Sequence, residues 1–179
     1  MRERSTPARS TAWRPPCEAD RLGSKATPAT KALERAKVPV KTHAYAHDRR
    51  HESYGLEAAE ALGLDPATVF KTLVADVDGG LTVAIVPVEL QVDLKALAQA
   101  VDAKKAQLAD VKQAERTTGY VAGGISPLGQ KKALPTVLDA SALEHPAIHV
   151  SGGRRGLEIE LAPADLRRLT NATIAPIAR

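Results

Sequence analysis

Apolar residues recur along this chain with two different periods, and the switches between them mark out its elements. Thr27-Pro28 reads as a helix cap followed by proline at the first helical position; Leu33 and Ala36 share a face, and Pro39 stops the helix. A strand follows from Val40 to Ala46, then a short helix from Glu57 to Leu62 closed by Gly63, and a turn capped by Asp65-Pro66 that runs into Phe70 and Lys71. Thr72 to Val77 and Leu81 to Val88 are apolar, β-branched runs around Asp78-Gly79-Gly80, the signature of a tight hairpin. Asp93 caps a helix whose apolar face carries Leu94, Leu97, Ala98 and Val101, and Asp110 caps another that ends near Gly119. Strands are expected at Thr136 to Leu138, Ala147 to Val150 and Leu157 to Leu161, and a closing helix at Pro163 to Leu169.

Helices and strands alternate, yet one strand pair is a tight hairpin, so the pattern predicts an α+β domain with a mixed sheet. No internal repeat and no second apolar core divides residues 25–179, which are expected to form one domain. Residues 1–24 differ: rich in Arg, Ser, Thr, Ala and Pro and without apolar period, they read as a disordered N-terminal extension.

Composition sharpens this only in places. The net charge of +4 hints at a polyanionic partner, but the extension carries five arginines against three acids and so accounts for +2 of it. The lone cysteine, Cys17, excludes an internal disulfide and fits a reducing, cytoplasmic compartment. No run approaches the ~18 apolar residues of a membrane span, and no secretory signal is expected at the N-terminus.

Candidate chemistry is narrowed mainly by exclusion. The glycine-rich stretch from Thr117 to Lys132 lets backbone N–H groups approach an anion or small substrate, but it is no phosphate-binding P-loop, because Gln130 follows Gly129 where lysine is needed. Ser126 lacks the second glycine of a nucleophile elbow. His47 and His51 fall four apart but lack the glutamate of a zinc-protease helix and flank two arginines, so they and His43 read as surface histidines and no metal is expected. A second glycine cluster, Ser151-Gly152-Gly153-Arg154-Arg155-Gly156, joins two strands; it is either a basic hairpin tip or a place where Ser151 and neighbouring N–H groups hold a carbonyl or oxyanion. Lys71 stands where a short helix becomes a strand, either complementing the helix end or projecting an ammonium into a pocket.

Read together, Thr27-Pro28-Ala29, His43 to Asp48, Tyr54 to Ala59, Phe70-Lys71-Thr72-Leu73, Thr117 to Lys132 and Ser151 to Leu161 resemble, in order, the YbaK/EbsC family, also called the YbaK/prolyl-tRNA synthetase-associated domain. The resemblance spans about residues 27–170 and is strongest to the Cys-tRNA(Pro) deacylase branch. It implies a barrel-like mixed sheet with helices outside and a pocket for the aminoacylated CCA end of tRNA. Lys71 aligns with the family's essential lysine, Tyr45 and Tyr54 with pocket-lining positions, Gly123 with a glycine facing the aminoacyl group, and Ser151 with a pocket serine. Thr72, Gly124, Ser126, Gly152 and Gly153 belong to the same motifs and are expected to bind substrate; Glu158 stands where the family prefers aspartate. The implied activity is trans-editing removal of cysteine from Cys-tRNA(Pro) through the substrate's own thiol, with no cofactor, with prolyl-tRNA synthetase as a partner, and with no membrane. Two rival readings are an Ala-tRNA(Pro) deacylase using water and a non-catalytic module that binds tRNA or a synthetase.

Overall fold

The computed structural model describes residues 26–48 and 53–179. The expected disordered extension, Cys17 and His51 lie outside them. The chain runs α1 (Pro28–Ala36), β1 (Lys41–Ala44), α2 (Tyr54–Leu62), β2 (Val69–Val77), β3 (Gly80–Pro87), α3 (Leu94–Ala100), β4 (Ala106–Leu108), α4 (Val111–Thr118), β5 (Thr136–Asp139), β6 (Ile148–Ser151), β7 (Leu157–Leu161), α5 (Pro163–Thr170) and β8 (Thr173–Ala175). One mixed sheet takes in all eight strands in the order β1-β7-β6-β2-β3-β5-β8, with β4 against β2. The α+β class with a mixed sheet and helices outside it is as expected.

Local chemistry accounts for the element ends. Thr27 and Thr30 form a reciprocal capping box at α1, and Lys37 closes that helix in the left-handed conformation, two residues before Pro39. Asp93 and Asp110 cap α3 and α4 by accepting backbone N–H bonds, as predicted. The β2–β3 hairpin turns on Asp78-Gly79 alone, both at positive φ, which lets the strands keep their twist through a two-residue loop.

Three expectations are corrected. Strand β2 begins at Val69, so Lys71 is the third residue of a strand and not a helix terminus. Helix α2 begins at Tyr54, three residues earlier than its apolar pattern indicates, which puts Tyr54 on the first helical turn. Strands β4 and β8, three residues each, have no sequence signal: they are strands because β2 and β5 offer them hydrogen-bonding edges.

The sheet separates two apolar layers. Phe70, Val83, Ile85, Leu138, Val150 and Ile159 pack with α1 and α5 on one face, while Ala75, Ala84, Val86 and Val137 pack with Leu97 and Ile177 on the other. Alternation along β3 sends Val83 and Ile85 one way and Ala84 and Val86 the other. Asp139, almost fully buried at the end of β5, ties down the C-terminus: Oδ2 accepts from Ile177 and Ala178 N–H, both at 2.8 Å, and Oδ1 accepts from the Ser141 hydroxyl at 2.6 Å. Asp139→Ala would leave the buried Ile177 N–H and the half-buried Ala178 N–H unpaired and is expected to cost about 3 kcal/mol, read as a lowered thermal midpoint with β8 losing amide-exchange protection first.

Candidate functional site

Along one edge of β2 the sheet parts. Strand β6 runs parallel to it only at Val69 and Phe70, while β4 joins antiparallel at Ala75 to Val77, with Ala109 N–H reaching the Val74 carbonyl at 3.0 Å. Residues 71–73 have β3 on their other edge and no strand on this one. A cavity of about 280 Å³ opens at that gap, lined by Lys71, Thr72, Leu73, Tyr54, Ser151 and Glu158 together with the apolar Val69, Phe70, Val88 and Ile125.

Strand register brings the polar members together. Ser151 on β6 faces Glu158 on β7 across the antiparallel pair, and Phe70 sits beside Val150 in the parallel pair, so Lys71 and Ser151 follow one residue further along neighbouring strands. Lys71 Nζ donates to the Val88 carbonyl at 3.2 Å and is in no ion pair among the described residues. Burial lowers its pKa, making the ammonium a poorly solvated charge at the cavity wall. Thr72 Oγ1 is buried with no hydrogen-bond partner among the described residues, a cost that a ligand atom would relieve. Glu158 is buried and burial pushes its carboxyl up to about 8, so the group is largely protonated and can donate as well as accept at neutral pH. Tyr45, just past β1, is pushed up to about 12 by burial and then by the neighbouring Glu158 and Glu57 charges.

The cavity mouth is an aromatic platform. The Tyr54 ring has the Arg155 guanidinium carbon 4.7 Å from its centroid and the His47 ring at 5.7 Å. Arg155 also donates to the Ala122 carbonyl from Nε at 3.0 Å and from a terminal nitrogen at 2.7 Å, clasping the β6–β7 loop to the glycine-rich loop. Gly123 sits at φ 81°, and a Cβ there would lie 2.6 Å from the Tyr54 ring, so glycine is required both for the backbone and for the stacking distance. The role of Arg155 as a clasp was not legible from the sequence, where the only signal was a basic pair in a glycine-rich tip.

Of the expected site residues, Lys71, Tyr54, Thr72, Gly123, Ser151 and Glu158 meet around this cavity. Tyr45, Gly124, Ser126, Gly152 and Gly153 are not part of its lining. Ser126 is fully buried and its hydroxyl accepts from Leu128 N–H, while Gly124, Gly152 and Gly153 allow close approach of Arg154 backbone, the Leu157 side chain and the Tyr120 ring respectively. The reading of His43 and His47 as surface histidines is corrected: His47 Nδ1 lies 2.9 Å from the buried Glu57 carboxylate, and His43 Nε2 lies 2.8 Å from Glu160.

Two outcomes follow from this geometry. Gly123→Ala forces a side chain into the left-handed region, at about 1–2 kcal/mol, and pushes the Tyr54 ring aside; the variant should fold with a reduced thermal midpoint and a loss of Tyr54 stacking visible in its aromatic NMR signals. Because the folded pKa of Glu158 is raised above its unfolded value, the protonated folded form is favoured below the unfolded pKa, and that stability is lost as pH rises through about 8. Glu158→Gln should therefore flatten the fall in unfolding free energy between pH 5 and 8 in denaturant titrations; an unchanged slope would assign the pH dependence elsewhere.

Comparison with known proteins agrees with this architecture. Residues 53–169 match the family described as the aminoacyl-tRNA editing domain. The chain is 43% identical over 152 residues, covering 84% of it and 92% of the other protein, to EbsC of Enterococcus faecalis (strain ATCC 700802 / V583), named as a candidate Cys-tRNA(Pro)/Cys-tRNA(Cys) deacylase. A solved structure described as a candidate trans-editing enzyme for prolyl tRNA synthetase superimposes with a TM-score of 0.76 at 25% identity, covering 85% of this chain and 95% of that one. A solved hypothetical protein, 21% identical, has the same fold at a TM-score of 0.77, covering 86% of this chain and all of that one. No helix among the described residues is long and apolar enough to cross a membrane. With the profile match spanning the elements that build the cavity, this chain belongs to the aminoacyl-tRNA editing domain family.

Proposed function

We propose that this protein is a trans-editing deacylase that releases cysteine from mischarged Cys-tRNA(Pro), with residues 25–179 acting as one editing domain and Lys71 as its catalytic residue. The observation that carries the reading is the Lys71 ammonium, half-buried at the gap in the sheet and held, among the described residues, by the Val88 carbonyl without an ion pair. A cation left without a carboxylate at a cavity wall is available to the terminal ribose-phosphate or to negative charge developing on an ester carbonyl. The names carried by EbsC and by the structural relative support the substrate and the link to prolyl-tRNA synthetase.

An aminoacyl ester is already activated, so placement and charge stabilisation suffice. The apolar part of the cavity suits a small side chain such as that of cysteine. The Tyr54 platform is a surface on which the terminal adenosine stacks, and the Thr72 hydroxyl, the Ser151 hydroxyl, which accepts from Gly153 N–H and can still donate, and the neutral Glu158 carboxyl can hydrogen-bond the aminoacyl group. In the reaction the cysteine sulfur adds to its own ester carbonyl carbon and the bond from that carbon to the ribose oxygen breaks. The thiol proton ends on the ribose hydroxyl, and a cyclic thioester leaves. Selectivity for the tRNA is assigned to docking on prolyl-tRNA synthetase, in keeping with a near-balanced charge outside the N-terminal extension.

Lys71→Ala should lower kcat/KM for Cys-tRNA(Pro) by at least ~100-fold in a folded protein, while cysteinyl-tRNA turns over and its S-methylcysteinyl, seryl and alanyl counterparts do not. Retained turnover in the lysine variant would remove Lys71 from the mechanism. Cleavage of the alanyl ester alone would favour water attack and overturn the cysteine assignment.

A further inference from the structure

One strand period from Ser151 and Glu158, on the same face of β6 and β7, a second group of polar side chains converges outside the cavity. Strand register sets Lys41 and His149 on either side of Glu160, with His43 two residues along β1. His43 Nε2 lies 2.8 Å and His149 Nε2 3.8 Å from the same carboxylate oxygen, Glu160 Oε2, while Lys41 Nζ holds Oε1 at 2.8 Å. The three atoms on His43, His149 and Glu160 all fall within 4.8 Å of one another, and the imidazole centroids are 5.4 Å apart in an edge-on pair.

An ion-pair network accounts for part of this cluster only. One hydrogen bond from His43 and one from Lys41 satisfy Glu160, which leaves His149 outside the arrangement. His149 is 7% exposed, its Nδ1 side faces the Thr68 backbone, and its Nε2, 3.8 Å from Oε2, is beyond hydrogen-bond reach of that oxygen. Among the described residues Nε2 makes no hydrogen bond, so this nearly buried nitrogen is available to a ligand. A cation at the point where the three atoms converge would take both Nε2 atoms and Oε2 together.

We propose that His43, His149 and Glu160 form a divalent transition-metal site of the zinc class, bridging strands β1, β7 and β6. Two imidazoles and one carboxylate suit a borderline ion such as Zn²⁺ better than Mg²⁺ or Ca²⁺, which prefer all-oxygen shells. Bond lengths of about 2.0–2.2 Å to nitrogen and oxygen require the side chains to shift by well under the length of a bond, and all three stand on neighbouring strands of one sheet. Lys41 fixes the carboxylate through its other oxygen, as outer-shell partners of metal ligands do, and its charge also weakens cation binding. His43 is part exposed, giving the ion a way in and a position open to water. The site pins the β1 edge to the body of the sheet and does not depend on the deacylase reading.

The test is titration of Zn²⁺ and Co²⁺ into metal-stripped, full-length protein. The expected result is one ion per chain with Kd tighter than about 10 µM, a higher thermal midpoint, visible ligand-field absorption from bound Co²⁺, and no response to Mg²⁺. His149→Ala and His43→Ala should each weaken binding at least ~10-fold, whereas His47→Ala, which disturbs the separate His47–Glu57 pair, should leave it intact. Circular dichroism checks folding, and having two independent ligand variants guards against one that fails to fold. Absence of stoichiometric uptake, or binding that survives both ligand substitutions, would overturn the site.

Discussion

Strand β2 is shared by three partners, and the place where two of them fail to meet determines where the candidate cavity opens. β6 leaves its edge after Phe70 and β4 arrives at Ala75. A strand edge without a neighbour normally needs cover, because its N–H and C=O groups seek partners. Here the opening is short, flanked by sheet on both ends, and walled by α2 and two glycine-rich loops. The resulting pocket is a defect in an otherwise continuous sheet, with Lys71, Thr72 and Leu73 presented by a strand that β3 holds rigid along its other edge.

Polar groups at that defect are treated differently from those elsewhere. Asp139 is buried and saturated with N–H and O–H donors, and Thr27 caps α1 while bonding the Gly152 carbonyl. Around the cavity, among the described residues, the Lys71 ammonium has a single carbonyl, the Thr72 hydroxyl has no partner, and the Glu158 carboxyl is held largely neutral by burial. Each of these costs stability, and such local inconsistency is what a ligand-binding site looks like.

The walls of the site are coupled to one another. Tyr54 from α2, Gly123 from the long glycine-rich loop and Arg155 from the β6–β7 loop touch at one point, so three segments far apart in sequence share one contact. The glycines that make the loops distinctive divide between two tasks. Gly123 clears room for a ring at the mouth, whereas Gly124, Gly152 and Gly153 let backbone and side chains pack behind it.

Much of this was legible in the sequence, for physical reasons that differ by residue. Caps at Thr27, Asp93 and Asp110, and the Asp78-Gly79 turn, are local: the residues that decide the conformation lie within a few positions of one another, and sequence alone determined those elements and the α+β class. The strand start at Val69, the existence of β4 and β8, and the first turn of α2 at Tyr54 depend on partners distant in the chain, and only the tertiary structure decided them. The same division runs through the site. The motifs around Lys71, Gly123 and Ser151 could be picked out as unusual residue by residue. That Lys71, Ser151 and Glu158 share one cavity and that His149 joins His43 and Glu160 follow from strand register. Register is set by pairings across the sheet, where a shift of one residue would turn each of these side chains to the opposite face.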